Sequence, residues 1–424
     1  MSEVLLAGFA EVDITPDQEV VAVDGRRRRR SFKVHDPLKA RILALRQGDC
    51  SAAIVGLDLF ELGIGFDQQV LAHLPKTGLN EKSLLLSPSH VGMTPISNYG
   101  SYIVIFAQDL IIESFEKECA SKVADGVRAA LDSLVPVHVS SGVGHAPDVL
   151  RNRRFLRPDG KVQMVYVGDP PTDMEYTEQG VDDTVSVLRF DTAEGEQLGA
   201  FVNFGCHALC SIDRYGDITA DYPRYVSDLF RSVADIPVVF TQGGLGDVVP
   251  IERRGLAARR IGRAVGAQAL YAFEQIKPSE TPTLGLHYQE VAVPARQVAE
   301  QSEEKRTDLR DSRSRYNQFL FERYRENPII SYPIKVITLG DTVIVHLPGE
   351  AFHDTALAIK EASPFRHTIL ISRATREVGY VPTPEAFEQG GSEPALSALV
   401  PASEPIIRGA VIDLLSSIRR RGTV

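Results

Sequence analysis

Several short clusters in this chain have residue types and spacings that can do chemistry. Glu350-Ala-Phe-His353 has the i, i+3 spacing that puts a carboxylate and an imidazole on one face of a helix, as metal-binding bundles do in paired copies. Cys206-His207-x-x-Cys210 offers thiolate and imidazole ligands, although a cysteine at a strand end serves equally well as a small buried apolar residue. Gly243-Gly244-Leu245-Gly246-Asp247 follows an apolar run, as a phosphate-cradling loop does. It lacks both the Lys-Ser/Thr of a P-loop and the dinucleotide-binding spacing, so a tight turn needing positive φ is the simpler reading. Asp221 can orient a histidine or cap the helix that begins there. Arg26–Arg30 reads as a solvated basic face that could also clamp an anion. H-E-x-x-H, G-x-S-x-G, Walker and paired C-x-x-C motifs are absent.

The elements that must position these residues alternate between strand and helix, which predicts an α/β fold with mixed sheets flanked by helices. Ala40–Leu45 and Ser51–Leu57 read as strands joined at Gly48-Asp49, and Ser83–Leu86 as a short strand entering a polar loop. Phe115, Cys119, Val123, Val127 and Leu131 recur every fourth position, the signature of an amphipathic helix ending before Pro136. Val137–Val143 alternates as a strand, whereas Pro147–Glu178, rich in Pro, Gly, Asp and Arg, reads as a long loop. A hairpin is expected from Thr184–Phe190 and Leu198–Phe204, and helices from Asp221–Val233 and Leu256–Ile276, with strand Pro237–Phe240 between them. Charge-dense Val298–Arg325 reads as a solvated helix. Ile334–Leu347 reads as a strand pair about Gly340-Asp341, with a helix from Pro348 or Gly349.

Composition limits the function classes. The 424 residues are 43% hydrophobic and 24% charged, the balance of a globular protein able to bury a large core. No Pro/Ser-rich linker and no internal repeat divides the chain, so one large domain is expected over residues 1–424. The formal charge of −10 argues against nucleic acid as a partner, because phosphate contacts need a basic face. No apolar run reaches the roughly 18 residues of a membrane span; Ser101–Ile112 comes nearest and Asp109 interrupts it. Four cysteines and an N-terminus without a basic leader point to a reduced, cytoplasmic protein. The expected partner is a small-molecule substrate, with homo-oligomerisation open.

Read in order, the loops resemble the neutral/alkaline non-lysosomal ceramidase family. Gly8–Pro16 ends in the Asp-Ile-Thr-Pro of that family's opening block, and His35-Asp36-Pro37-Leu38 resembles its next. Ser87-Pro88-Ser89-His90-Val91-Gly92 stands where the family has T-H-T-H-S-G. Asn203-Phe204-Gly205-Cys206-His207 resembles the second histidine loop, with Asp221-Tyr222-Pro223 following. Gly246-Asp247-Val248-Val249-Pro250 stands at G-D-V-S-P, and Leu347–Glu350 and Gly379–Thr383 match the last blocks. The agreement runs from residue 8 to about 391 and covers the family's catalytic domain, so the C-terminal immunoglobulin-like domain of longer members is expected to be absent.

The resemblance implies a zinc amidase scaffold. Carried over by position, His207, Glu350 and Tyr380 are the expected metal ligands, with His90 as acid/base or substrate-binding group and Arg153 as the partner of a carboxylate or oxyanion. Asp221 joins His90 and Arg153 as a catalytic candidate. Three substitutions separate this chain from the family pattern. Pro88 replaces a zinc histidine, Val249 the serine, and Ser392 a second tyrosine. Asp36, Cys206 or Asp221 could replace the ligand lost at Pro88. The expectation is therefore a ceramidase-like enzyme with altered chemistry on an amide, ester or related acyl compound, by hydrolysis, cyclisation or acyl transfer. The alternatives are an inactive binding protein on the same scaffold and, last, an unaltered ceramidase.

Overall fold

The structure is a computed structural model that describes residues 4–16, 21–23, 26–28, 33–92, 94, 115–166, 168, 171, 174–176, 180–211, 213, 217–278, 282–302, 312–373, 375 and 377–421. Ser101–Ile112 and the side chains of Arg26–Arg30 lie outside the described residues.

Two sheets carry the fold. The larger has eight strands in the spatial order Val238–Gln242, Gln197–Phe204, Thr184–Thr192, Val135–His145, Leu6–Asp13, Lys39–Gln47, Cys50–Leu57 and Leu84–Pro88. Its pairings are antiparallel except at the two ends, where Cys50–Leu57 runs parallel to Leu84–Pro88 and Gln197–Phe204 parallel to Val238–Gln242. The smaller sheet orders Leu284–Pro294, Ile329–Leu339, Thr342–Pro348 and His367–Arg373, with only the last pair parallel.

Strands Lys39–Gln47 and Cys50–Leu57 are buried on both faces, and their successive side chains divide between two cores as the strand period of two requires. Ile42 and Ala44 pack toward helix Phe115–Asp132 with Cys119, Val123 and Val127. Leu43 and Leu45 instead join Ile337, Leu339, Ile344, Ile369 and Ile371 of the smaller sheet. Helices Asp221–Val233 and Ala257–Gln275 cover the other half of the large sheet. Helices His353–Ala362 and Ser403–Arg421 cover the small one. The layers therefore run helix, sheet, sheet, helix. Where the helices Asp221–Val233 and Ala257–Gln275 cross, Gly262 sits so close that a Cβ would lie 2.3 Å from the Tyr222 carbonyl oxygen.

Several sequence expectations are corrected. Segment 147–178 is not loop throughout but carries the short strands Leu150–Asn152, Arg154–Leu156, Val162–Met164 and Glu175–Tyr176. The charge-dense region yields helix Ser312–Tyr324, whose Tyr316, Leu320 and Tyr324 are buried in the small-sheet core rather than solvated. No helix starts at Pro348 or Gly349. Gly349 adopts φ 85°, Glu350–Ala351 pairs in parallel with Tyr380–Val381, and the helix begins only at His353.

Candidate metal centre

Parallel pairing places the chain exits of several strands together. The strands ending at Pro88, Phe204 and Pro348 release their chains toward His90, His207 and Glu350 respectively. Strand Val238–Gln242, at one edge of the large sheet, packs against the last two strands at the other end, Cys50–Leu57 and Leu84–Pro88. Gly56 lies so near the Phe240 carbonyl that a Cβ would be 2.2 Å away, and the Gln242 N–H reaches Ser87 Oγ at 3.4 Å. That contact closes the distance between the His90 and His207 loops. Ligand sites at the carboxyl ends of parallel strands are a general property of α/β sheets.

His90, His207 and Glu350 have ligand atoms that all lie within 4.8 Å of one another, and all three residues are buried. His207 Nε2 is 3.1 Å and His90 Nε2 3.4 Å from Glu350 Oε2. The other ring nitrogens are fixed by acceptors. His90 Nδ1 lies 3.0 Å from the Phe60 carbonyl and His207 Nδ1 2.8 Å from that of Val248. A carbonyl only accepts, so each Nδ1 carries the proton and each neutral ring turns an Nε2 lone pair inward. Phe60 stacks on His90 at 4.5 Å, and His90 itself holds φ 58°, a costly backbone conformation for a non-glycine residue.

The electrostatics keep these rings in their ligand form. Burial, reinforced by Arg153, pushes His90 down to about 3 against the pull of its Phe60 hydrogen bond. Burial, Arg153 and His90 likewise hold His207 well below the ordinary histidine range. Burial, with Glu61 and Glu393 nearby, raises Glu350 well above the usual carboxylate range, against a hydrogen bond from Tyr380. Two lone pairs aimed at one carboxylate oxygen repel it unless a proton or a cation lies between them. The donor set fits a zinc ion. Two neutral imidazoles and a carboxylate are a known catalytic zinc set, and tetrahedral ligands 2.0–2.1 Å from zinc stand about 3.3 Å apart.

Arg153 and Tyr380 complete the inner wall. Arg153 Nε donates to Glu393 Oε1 at 2.6 Å and Nη2 to the Gly246 carbonyl at 2.6 Å. Its Nη1 is 3.5 Å from His207 Nε2, and its guanidinium carbon is 5.5 Å from the Tyr380 ring centre. Burial opposes its charge, but Glu393, Tyr380 and Tyr166 outweigh this and hold it above its ordinary value. The edge of the guanidinium that would grip a carboxylate is thus already filled. Tyr380 is hydrogen-bonded to both Glu350 and Arg153, and burial and Glu350 raise its hydroxyl well above the tyrosine range.

The remaining sequence candidates separate from this group. Asp221 accepts the N–H groups of Cys210 at 3.2 Å, Ser211 at 2.7 Å and Tyr222 at 2.7 Å, so its carboxylate ties the His207 loop to the helix start. Asp36 accepts from Thr219 Oγ1 at 2.5 Å and pairs with Arg224. Cys206 is buried, its thiol raised by burial. His353 does not share a helix face with Glu350. Its Nδ1 is 2.7 Å from Asp247 Oδ2, because Glu350 lies on the short strand before the helix. The Gly243–Asp247 turn packs on protein rather than presenting an open cradle: a Cβ on Gly246 would lie 2.5 Å from the Glu350 carbonyl. Asp247 also accepts from Asn152 Nδ2 at 2.9 Å, fastening that turn to the arginine segment. Pro88 pairs with Leu57 and Val249 with Arg151 inside short strand contacts.

Sequence reasoning missed Phe60, Glu61, Arg154, Tyr166 and Glu393. Glu393 is fully buried and is shared by Arg153 and Arg154, the second at 2.7 Å. Tyr166 donates to or accepts from Ser392 Oγ at 2.6 Å, at the position where the family resemblance led to a tyrosine.

Fold and donor set together define a two-sheet α/β scaffold with a candidate His–His–Glu metal centre. Among solved structures, the chain shares the fold of neutral ceramidases. It is 18% identical to the neutral ceramidase from Pseudomonas aeruginosa, with a TM-score of 0.76 over 99% of this chain and 75% of that one. A ceramidase complexed with C2 is 17% identical, with a TM-score of 0.76 over 99% and 76%. No protein-family model matches the sequence, and no curated protein matches it. No helix among the described residues is long and apolar enough to cross a membrane.

Proposed function

We propose that this chain is a metal-dependent acyl hydrolase on the ceramidase scaffold, acting on an ester, amide or related acyl small molecule. The observation that carries the reading is the pair of inward Nε2 lone pairs, at 3.1 and 3.4 Å from one buried carboxylate oxygen. His90, His207 and Glu350 would hold the ion, His90 supplying the donor that Pro88 cannot, with Tyr380 beside Glu350. Zinc in such a set supplies Lewis-acid polarisation of an acyl oxygen and lowers the pKa of water toward 7.

The chain's own groups do the rest. Arg153 Nη1, which neither Glu393 nor Gly246 takes and which lies 3.5 Å from His207 Nε2, would donate to charge developing on the acyl oxygen. Tyr380, whose single hydroxyl proton goes to Glu350, holds that carboxylate in orientation. Asp221 acts as a positioning residue for the His207 loop. Cyclisation or acyl transfer would use the same groups with an internal or second nucleophile in place of water. Val249 removes the hydroxyl that the family resemblance implies, which is the observation favouring a second reading, a binding protein that retains the centre without turnover.

Elemental analysis of untagged protein, purified without chelator, tests the first reading. About one zinc per chain is expected, and His207→Ala and Glu350→Ala are expected to lose it. Metal-free protein that gains neither zinc nor activity on supplementation would overturn the proposal. Bound zinc without turnover across an ester and amide panel would favour the second reading.

A further inference from the structure

Arg253, half-buried, borders the same wall. Its guanidinium carbon is 6.0 Å from the Tyr166 ring centre, and that of Arg153 is 5.2 Å from the same ring. Tyr166 thus lies against both cations. It is 36% exposed, whereas Arg153 is 2% and His207 1% exposed, so this trio runs from the surface inward to the centre.

Arg253 Nε and Nη2 are both buried and have no hydrogen-bond partner among the described residues. These nitrogens form the side edge of the guanidinium, the fork that matches two oxygens of a carboxylate or phosphate. Every comparable nitrogen of Arg153 is taken, so the two arginines have different work. Glu393 is shared by Arg153 and Arg154, so it is not available to Arg253 as a partner. Burial and Arg153 lower Arg253 to about 10, against Cys210, Cys206 and Asp221, and it is still charged at neutral pH. A buried fork without an acceptor is costly.

We infer that Arg253 is the specificity determinant of the site and grips an oxyanion, carboxylate or phosphate, on the substrate's non-reacting end. This rests on the acyl-hydrolase reading for the identity of the other end. The substrate class is an anionic acyl compound, which distinguishes it from an uncharged acyl amide.

The test is calorimetric titration of the full chain with N-octanoylglycine, N-octanoylethanolamine phosphate and uncharged N-octanoylethanolamine, with zinc and again with chelator. At least one anionic compound is expected to bind about tenfold or more tighter than the neutral one, and which one identifies the oxyanion. Arg253→Gln is expected to abolish that preference while leaving the neutral compound's affinity unchanged, and Arg253→Lys to retain part of it. Equal affinity for all three, no binding of any, or equal weakening of all three in Arg253→Gln would overturn the inference, the last showing a packing role only. The anion preference is expected to persist in chelator, so a failure of the metal reading alone leaves it intact. Loss of the preference with zinc still bound removes only the oxyanion site.

Discussion

Glu393→Gln is the most informative single change, because its effect follows from geometry without reference to any ligand. Glu393 is fully buried and accepts from Arg153 Nε at 2.6 Å and Arg154 Nη1 at 2.7 Å. The guanidiniums are themselves 2% and 0% exposed, so water does not replace the lost charge. Arg154 keeps Gln389 and the Gly390 carbonyl, and Arg153 keeps Gly246. Breaking a buried pair by removing one partner costs about 3–5 kcal/mol, because the other charge is left uncompensated. With about 2.1 cal/mol/K of unfolding entropy per residue, 1 kcal/mol corresponds to roughly 1 °C for a chain of 424 residues that unfolds as one unit. Glu393→Gln is therefore expected to lower the melting temperature by about 3–6 °C. Calorimetry and urea unfolding read this directly. Arg154→Met in the Glu393→Gln background should recover part of the loss, since one orphaned charge is removed, and the double-mutant cycle isolates the coupling. A Glu393→Gln protein within about 0.5 kcal/mol of the parent, the range of an ordinary surface substitution, would refute the reasoning.

The other expectations rest on independent features. Lys335, lowered to about 8 mainly by burial and by Arg373, binds protons less readily in the folded than in the unfolded chain. Stability should therefore rise from pH 8 toward 10.5 by roughly 3 kcal/mol, and a flat profile in urea unfolding, or the same slope in Lys335→Met, would contradict this. Asp221→Ala should cost about 1–3 kcal/mol by leaving buried N–H groups of Cys210, Ser211 and Tyr222 unmet, and should speed thiol labelling of Cys210; unchanged labelling would argue against the loop-anchoring role. Matched substrates should show esters turned over faster than amides, measured as kcat/KM, and equal values would count against His90 as a metal ligand.

How much of this was legible in the sequence depended on the distance over which each feature is encoded. Helix Asp221–Val233 and the hairpin of Thr184–Thr192 with Gln197–Phe204 are set by local periodicity and turn residues, and the structure has them where the pattern puts them. The α/β class follows from the same signals. Glu350-x-x-His353 misled because spacing says nothing about φ at Gly349, and the positive φ there turns the chain into pairing with Tyr380 before a helix can start. Glu61, Tyr166, Arg253 and Glu393 carry no local signature at all. Each gains its meaning from a partner more than a hundred residues away or from a neighbouring loop, such as Glu393 across 240 positions from Arg153. The family resemblance located the histidine and glutamate loops, while the division of labour among their side chains needed the hydrogen bonds at Nδ1.

That division has a chemical consequence if His90 holds metal in place of the residue lost at Pro88. An imidazole committed at Nε2 to an ion and at Nδ1 to the Phe60 carbonyl has no site left for moving a proton. The hydroxyl that Val249 lacks cannot compensate, and Tyr380, raised well above the tyrosine range by burial and Glu350, is a weak acid. An amine leaving group must be protonated as it departs, since an amide anion is far too basic to leave. An alkoxide makes a smaller demand, and a stabilised one smaller still. The wall then keeps Arg153 to stabilise negative charge, while neither its guanidinium nor the Tyr380 hydroxyl is a ready source of protons. Such a site is matched to an acyl transfer whose difficulty lies in the oxyanion rather than in the leaving group.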